Sequence, residues 1–177
     1  KTKPDSYKRY SGIPLRYAGG KTLAVGHIVN LIPTNIKRVI SPFFGGGSVE
    51  IALAKELDLK VVGFDIFDIL MNYWDVQLNN PQELYKRLLK FQPNNNEFKV
   101  VKERLKKHWK EGKKLDKFDL AAHYYFNSNT SYGPHFLGWP SSVYLQKERY
   151  KKMIEKVRDF QAPNLKVGCE TFEKIIP

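Results

Sequence analysis

Two glycine-containing segments near the N-terminus carry the residues best suited to bind a nucleotide-like ligand. RYAGGKT (16–22) places a lysine after two glycines, and PFFGGGS (42–48) places three glycines before a serine. Glycines permit tight turns and close approach of a ligand to the backbone, and a helix start attracts negative charge. Lys21 is therefore suited to pair with a carboxylate or phosphate. The alternatives are an ordinary turn before a helix at 16–22 and a strand-to-helix connection that needs positive φ at 42–48.

An acidic residue follows the glycine turn at the spacing of a ribose-binding site. Asp65 ends the apolar run KVVGFDI (60–66), about twenty residues after the turn. An acid that closes the second strand can accept hydrogen bonds from ribose hydroxyls. Asp68 is the better candidate for a helix cap, which leaves Asp65 for a ligand, although a cap or a surface acid is the alternative. Three adjacent glycines differ from the spaced G-x-G-x-x-G of a dinucleotide site.

A framework of alternating strands and helices must bring these residues together. Short β-rich runs at 37–44 and 60–66 each precede a helical segment, and this βαβ pattern predicts a parallel sheet. Ser48 is predicted to cap the first helix, 68–78 to form the second, and NLKVGCETF (164–172) to form a third strand. A further helix, opened by Lys21, is predicted to form its apolar face from Leu23, Ile28 and Leu31.

A helical block interrupts this pattern after residue 79. Asn80 and Asp116 are predicted helix caps, and the second of these helices runs to about Phe126. Residues 127–142 are predicted to be loop, and a long helix follows from Val143 to Phe160. We therefore expect an α/β domain formed by residues 12–79 and 161–177, with a helical insertion at 80–160.

The positive charge of the chain is concentrated in that insertion. The net charge is +12, and residues 86–117, with twelve basic and four acidic side chains, contribute +8 of it. Residues 147–158, with six basic and two acidic side chains, contribute the remaining +4. Clustered lysines with interleaved aromatic residues favour a phosphate-binding face. A solvated, lysine-rich helical surface is the alternative.

Composition excludes several other classes of protein. Cys169 is the only cysteine, so an intrachain disulfide is impossible, which fits a reducing compartment. The four histidines show no metal-ligand spacing, and we expect no metal site. The sequence has no apolar run of about 18 residues that could span a membrane, and KTKPDSYKRYSG lacks the apolar stretch of a signal peptide.

In this order and spacing, the motifs resemble the N-terminal half of DNA adenine-N6 methyltransferases of the Dam/D12 class. That family has (W/Y)-A-G-G-K, then P-F-x-G-x-G-S, then an acid that closes the second strand, and then a basic helical target-recognition region. YYFNSNTSYG (124–133) resembles its aromatic-Phe-Asn segment, and GCETFEKII (168–176) resembles the segment that precedes its catalytic motif. The resemblance covers nearly the whole chain, although the 80–123 block matches only in character.

The resemblance implies a partial Rossmann-like, S-adenosylmethionine-dependent methyltransferase fold with a helical target-recognition insertion. It implies S-adenosylmethionine as cofactor, double-stranded DNA as partner, a flipped-out target adenine, and a location in the cytoplasm or wherever the DNA substrate is held. Lys21 is expected at the methionine carboxylate, Asp65 at the ribose hydroxyls and Phe172 beside the adenine ring. The full implied cofactor set is Tyr17, Lys21, Phe43, Gly45, Gly47, Asp65 and Phe172. The candidate DNA contacts are Asn127, Tyr132, Lys106, Lys107, Lys113 and Lys114.

The sequence departs from the family in one large respect, because the catalytic D/N-P-P-Y motif is absent from these 177 residues. A parallel sheet of only three strands would also leave an unpaired apolar edge. We therefore assign no catalytic residue, and we expect the chain to be part of a longer or split methyltransferase that does not methylate DNA by itself. The alternatives are a non-catalytic DNA-binding or virion-associated protein that keeps the fold, and a methyltransferase for RNA or another substrate.

Overall fold

The computed structural model describes residues 9–176 of the chain. The described residues form three β-strands and eight α-helices, numbered here in chain order. The strands are β1 (Arg38–Ser41), β2 (Lys60–Asp65) and β3 (Leu165–Cys169). The helices are α1 (Val25–Asn30), α2 (Ser48–Glu56), α3 (Asp68–Asn79), α4 (Pro81–Leu88), α5 (Asn95–Lys110), α6 (Lys117–Thr130), α7 (Lys147–Asp159) and α8 (Phe172–Ile175).

The three strands form one parallel sheet with β2 in the middle. Val61 of β2 lies opposite Val39 of β1 and opposite Leu165 of β3, and this row faces the core. Because the strands are parallel, their carboxyl ends lie at one edge of the sheet, and the loops that follow β1, β2 and β3 all leave from that edge. The predicted α/β class with a parallel sheet is confirmed.

Helix α3 joins the sheet to the helical block. Its Tyr73 and Trp74 side chains are completely buried, and the helix packs against β2 and β3 on one side and against α6 on the other. Tyr73 stacks on Tyr125 of α6 with 5.8 Å between ring centroids. One continuous hydrophobic core therefore runs from the sheet into the helices that follow it.

The predicted helix starts of the basic helical insertion at 80–160 are present. Asn80 occupies the N-cap position of α4, and Asp116 caps α6, since its Oδ1 accepts hydrogen bonds from the amides of Phe118 and Asp119 at 2.9 and 3.1 Å. Asn94 caps α5 by accepting from the amide of Glu97 at 2.9 Å. The Asn94 and Asp116 side chains thus satisfy amides that have no partner within their own helices, whereas the Asn80 side chain makes no capping hydrogen bond.

The predicted loop at 127–142 is wrong over its first four residues. Helix α6 continues to Thr130, and all four residues from Asn127 to Thr130 are buried. Asn and Ser are poor helix formers in isolation, and here tertiary burial overrides that preference. The long helix begins at Lys147, later than the predicted Val143.

Three other local predictions are wrong in whole or in part. Ser48 and Asp68 are the first residues of α2 and α3, and the N-cap positions belong to Gly47 and Phe67. The apolar face predicted for the helix after Lys21 is not formed. Leu23 precedes α1, Leu31 follows it, and both side chains are exposed. The predicted third strand is present, but it ends at Cys169, so that Phe172 belongs to the short helix α8.

No helix among residues 9–176 combines the length and the apolar character needed to cross a membrane. Within the same range, no group of three or more His, Cys, Asp or Glu side chains is placed to hold a metal ion. Pro177, the last residue of the predicted α/β domain, lies outside the described residues, as do the first eight residues of the N-terminal segment.

Candidate functional site

A cavity of ≈ 370 Å³ opens at the carboxyl edge of the sheet. Its walls come from the two glycine-containing segments, from the first turn of α2 and from the end of β2. The lining residues include Tyr17, Gly19, Gly20, Lys21, Phe43, Gly45, Gly47, Glu50 and Asp65. All of the residues predicted to contact the cofactor are among them except Phe172.

The three adjacent glycines are explained by the conformation of the turn and by its packing. Gly45 and Gly47 have φ of 51° and 64°, in the left-handed region that favours glycine. At Gly46, an added Cβ would lie 2.7 Å from the Cβ of Tyr17. The Tyr17 side chain therefore lies directly on the turn, and the YAGGK segment and the glycine turn form one wall.

Asp65 holds the glycine turn in place from the neighbouring strand. Its Oδ2 accepts the amide of Gly45 at 2.9 Å, and its Oδ1 accepts the amide of Phe67 at 3.1 Å. The expectation that Asp65 is left free for a ligand is therefore wrong as stated, since both oxygens already have a donor. Each carboxylate oxygen has a second lone pair, so the side chain can still accept from a ligand in the cavity that it lines.

Lys21 stands at the rim of the cavity. Its backbone amide donates to Oγ of Ser48 at 2.9 Å, and its exposed ammonium donates to the carbonyl of Gly19 at 2.8 Å. The Ser48 hydroxyl thus joins the YAGGK segment to the start of α2, in place of the capping role that the sequence suggested. The Lys21 side chain makes only a local contact and can turn towards a ligand.

A second cavity of ≈ 320 Å³ continues along the same edge of the sheet. Phe43 and Asp65 line both cavities, and Phe172 lines the second. The rings of Phe43 and Phe172 lie 5.6 Å apart and are tilted by 38°. Although Phe172 is far from the glycine turn in sequence, the structure brings it beside Phe43, where the pair can contact a flat ring.

Glu50 lines the first cavity and was missed by the sequence analysis. The side chain accepts a hydrogen bond from Oγ of Ser41 at 2.6 Å. Burial raises the pKa of the Glu50 carboxyl, while hydrogen bonds from Ser41 and from the amides of Glu50 and Val49 lower it by less. Its position in the sequence, two residues after the GGGS turn and on the first turn of a helix, could have indicated that Glu50 lines the cavity.

The candidate DNA contacts fall into different environments. Asn127 is completely buried in α6, where its Oδ1 accepts the amide of Leu137 at 2.9 Å. It has no exposed surface for DNA in this conformation, and it fixes the loop that follows α6. Tyr132, at the start of that loop, is 83% exposed.

Trp139 is a surface aromatic residue near Tyr132 that the sequence analysis did not select. The amide of Tyr132 donates to the carbonyl of Trp139 at 2.9 Å, so the two residues pair across the loop. Trp139 is 78% exposed, and the ammonium of Lys102 lies 4.7 Å from its ring centroid. The same ammonium donates to the carbonyl of Gly138 at 3.0 Å. Two exposed aromatic rings and a cation therefore share one patch.

The four lysines selected as phosphate contacts, Lys106, Lys107, Lys113 and Lys114, are exposed at the end of α5 and in the loop after it. Lys106 lies 3.9 Å from Glu103 and Lys113 lies 3.7 Å from Glu111. Surface pairs of this kind are weak and do not prevent contact with phosphates. These four residues are called the lysine group below.

Arg16 ties the YAGGK segment to the end of α6. Its guanidinium donates to the carbonyls of Asn129 and Ser131, each at 2.9 Å, and stacks over the ring of Tyr144. The residue next to Tyr17 thus fixes the start of the loop that carries Tyr132. The cavity and the aromatic patch are joined through one side chain.

Comparison with known proteins shows the family of this chain. The sequence profile of the D12 class N6 adenine-specific DNA methyltransferases matches residues 17–177. The Type II methyltransferase M.MjaIII of Methanocaldococcus jannaschii is 36% identical over 80 residues, which cover 42% of this chain and 28% of that protein. The chain thus spans well under half of the length of this relative. Since the profile covers nearly the whole sequence, the chain belongs to the D12 class N6 adenine-specific DNA methyltransferase family.

Proposed function

We propose that this protein serves site-specific methylation of DNA at N6 of adenine, with S-adenosylmethionine as the methyl donor. The observation that carries the proposal is the pair of cavities at the carboxyl edge of the sheet. One cavity is lined by the glycine turn, Lys21 and Asp65, and the other contains the Phe43 and Phe172 rings. Ligands of parallel α/β folds bind at this edge.

The chemistry of the two cavities fits the parts of S-adenosylmethionine. Phe43 and Phe172 provide apolar surface for the adenine ring, and Asp65, which lines both cavities, lies where a ribose would join the two halves. Lys21 offers an ammonium to the methionine carboxylate. When bound, the cofactor supplies an electrophilic methyl group, and the residues of this chain bind and orient it.

We assign residues 12–79 and 161–177 to a Rossmann-like cofactor domain and residues 80–160 to target recognition. The helical block supports the second assignment because it holds most of the excess positive charge of the chain. Lysine and arginine contacts to phosphates supply sequence-independent affinity, which positions a protein on DNA. A basic helical block beside a cofactor cavity is the arrangement that such an enzyme needs.

The exposed patch of Tyr132, Trp139 and Lys102 is suited to a disturbed DNA duplex. An enzyme that modifies an adenine amino group must extrude the base from the helix. Exposed aromatic rings stack on unpaired bases, and a nearby cation binds phosphate. We therefore assign these side chains to the DNA strand around the target base, and we place Asn127 behind them as a buried support for the loop.

The residues that polarise the adenine amino group are not assigned, because the D-P-P-Y motif does not occur in this sequence. The proposal is tested with the product of the complete reading frame, duplex DNA and methyl-labelled S-adenosylmethionine. Recovery of label in N6-methyladenine supports it. Binding of both DNA and cofactor without any label would favour a non-catalytic DNA-binding protein. Stronger competition by RNA than by duplex DNA would favour an RNA substrate.

A further inference from the structure

Glu50 places a carboxylate in the wall of the cavity that Lys21 also lines. Its helix α2 begins at Ser48, whose hydroxyl accepts the backbone amide of Lys21. Both Glu50 and Lys21 line the same cavity. A cation and an anion therefore line one cavity, whose wall includes the YAGGK segment and the start of α2.

The Glu50 carboxylate has hydrogen-bond donors but no cation. It accepts from Oγ of Ser41 at 2.6 Å, and none of the ion pairs among residues 9–176 includes it. Burial of a carboxylate without an opposite charge is costly, and burial does raise the pKa of this group. A positively charged ligand group would remove part of that cost.

The same carboxylate argues against a phosphate ligand at the start of α2. The amides of the first helical turn are a preferred site for anions. Here the Glu50 carboxylate, on the first turn of α2, places a negative charge in the wall of the same cavity, so that a pyrophosphate would be repelled. Three charged side chains line the cavity, namely Lys21, Glu50 and Asp65. With Asp65 assigned to the ribose, the cation of Lys21 and the anion of Glu50 remain, and one cation with one anion is the charge pattern that recognises a free amino acid.

We propose that Glu50 binds the α-ammonium group of the methyl donor, while Lys21 binds the carboxylate on the same carbon. This inference rests on the proposed function, because it places the methionine part of S-adenosylmethionine in the first cavity. Glu50 is then a binding residue that selects ligands with an intact amino acid. Asp65 and the aromatic pair hold the nucleoside part and do not make this selection.

The test is a set of binding titrations of the full chain with three ligands. S-adenosylmethionine and S-adenosylhomocysteine both carry the α-ammonium, whereas 5′-methylthioadenosine has the same nucleoside without the amino acid. The Glu50→Gln substitution removes the charge but keeps the size and an oxygen that can accept from Ser41 and the helix amides. We expect it to weaken the first two ligands equally, by about tenfold, as typical for a charge pair in a partly desolvated site, and to leave 5′-methylthioadenosine unchanged.

The control is Glu56→Gln, on the same helix and outside the cavity, which should change none of the three affinities. Glu50→Asp retains the charge and should keep most of the preference for amino-acid ligands, even if Glu50→Gln fails to fold. A loss for S-adenosylmethionine alone would place the carboxylate at the sulfonium and overturn the inference. Unchanged affinities, or equal losses for all three ligands, would leave Glu50 with only a structural role as the partner of Ser41 and would also overturn the inference. Failure of the unmodified chain to bind any ligand would overturn the proposed function itself.

Discussion

The Asp65→Ala substitution tests the double role of this carboxylate as a support for the glycine turn and as a cofactor ligand. The substitution leaves the amides of Gly45 and Phe67 without acceptors, and both bonds are only partly buried. An unpaired buried polar group costs about 1–3 kcal/mol, and the cavity admits water that lowers this figure. We therefore expect the free energy of unfolding to fall by about 1–3 kcal/mol in total.

Cofactor affinity should fall as well, because the ribose hydroxyls lose their acceptor and the turn loses its support. A loss of about 1–3 kcal/mol corresponds to about 5-fold to 150-fold in Kd. Urea denaturation measures the first effect, and isothermal titration with S-adenosylmethionine at a temperature where the variant is folded measures the second.

Asp75→Ala is the matched control, since Asp75 is exposed on α3 and accepts only from the Asn79 side chain on its own helix. It should change stability and affinity little. Unchanged affinity in Asp65→Ala would remove Asp65 from the site. Unchanged stability would refute the idea that it holds the turn.

Four further predictions concern Lys21, the lysine group, Trp139 and His123. Lys21→Ala should weaken cofactor binding more than DNA binding in parallel titrations, and the opposite ranking would reassign this lysine to DNA. DNA affinity should fall steeply with salt. Glutamine at all four positions of the lysine group should reduce the slope of log affinity against log salt by about 0.9 for each phosphate that the variant no longer neutralises. Glutamine at Lys37 and Lys60, at the amino ends of their strands, is the control and should leave the slope unchanged. Trp139→Ala should weaken DNA binding by about 1–3 kcal/mol if the ring stacks on a base, and an unchanged Kd would remove the ring from the interface. Burial lowers the pKa of His123, so that below the ordinary histidine pKa of about 6.5 the unfolded chain binds more protons than the folded chain and the free energy of unfolding falls as the pH falls. In denaturation experiments, His123→Phe should flatten this loss of stability between about pH 7 and pH 5. An unchanged slope would contradict the prediction.

The βαβ framework could be predicted from sequence because it depends on local patterns. Short apolar runs ending in glycines and Asp65 place the strands, and the Asn80 and Asp116 caps place two helices of the basic block. The end of α6 could not be predicted in this way. Residues 127–130 have loop-forming side chains, and only their contacts with distant segments, such as the amide of Arg16 bonded to Oδ1 of Asn129 at 2.8 Å, keep them helical.

The candidate site was predictable where the motif itself forms it. The Tyr17, glycine-turn and Asp65 positions meet in one cavity because the carboxyl ends of parallel strands lie together. Glu50 and Trp139 were not found, because their roles depend on burial and exposure that only the folded chain defines. The assignment of Asn127 to a DNA contact had the same weakness, since its burial follows from the extension of α6.

The central claim is that the cavity at the carboxyl edge of the sheet binds S-adenosylmethionine. Isothermal titration of the full chain with S-adenosylmethionine tests it most directly, with S-adenosylhomocysteine as competitor. We expect saturable binding at one site per chain, competed by S-adenosylhomocysteine and weakened by Asp65→Ala but not by Asp75→Ala. Absence of saturable binding, or binding that Asp65→Ala leaves intact, would contradict it.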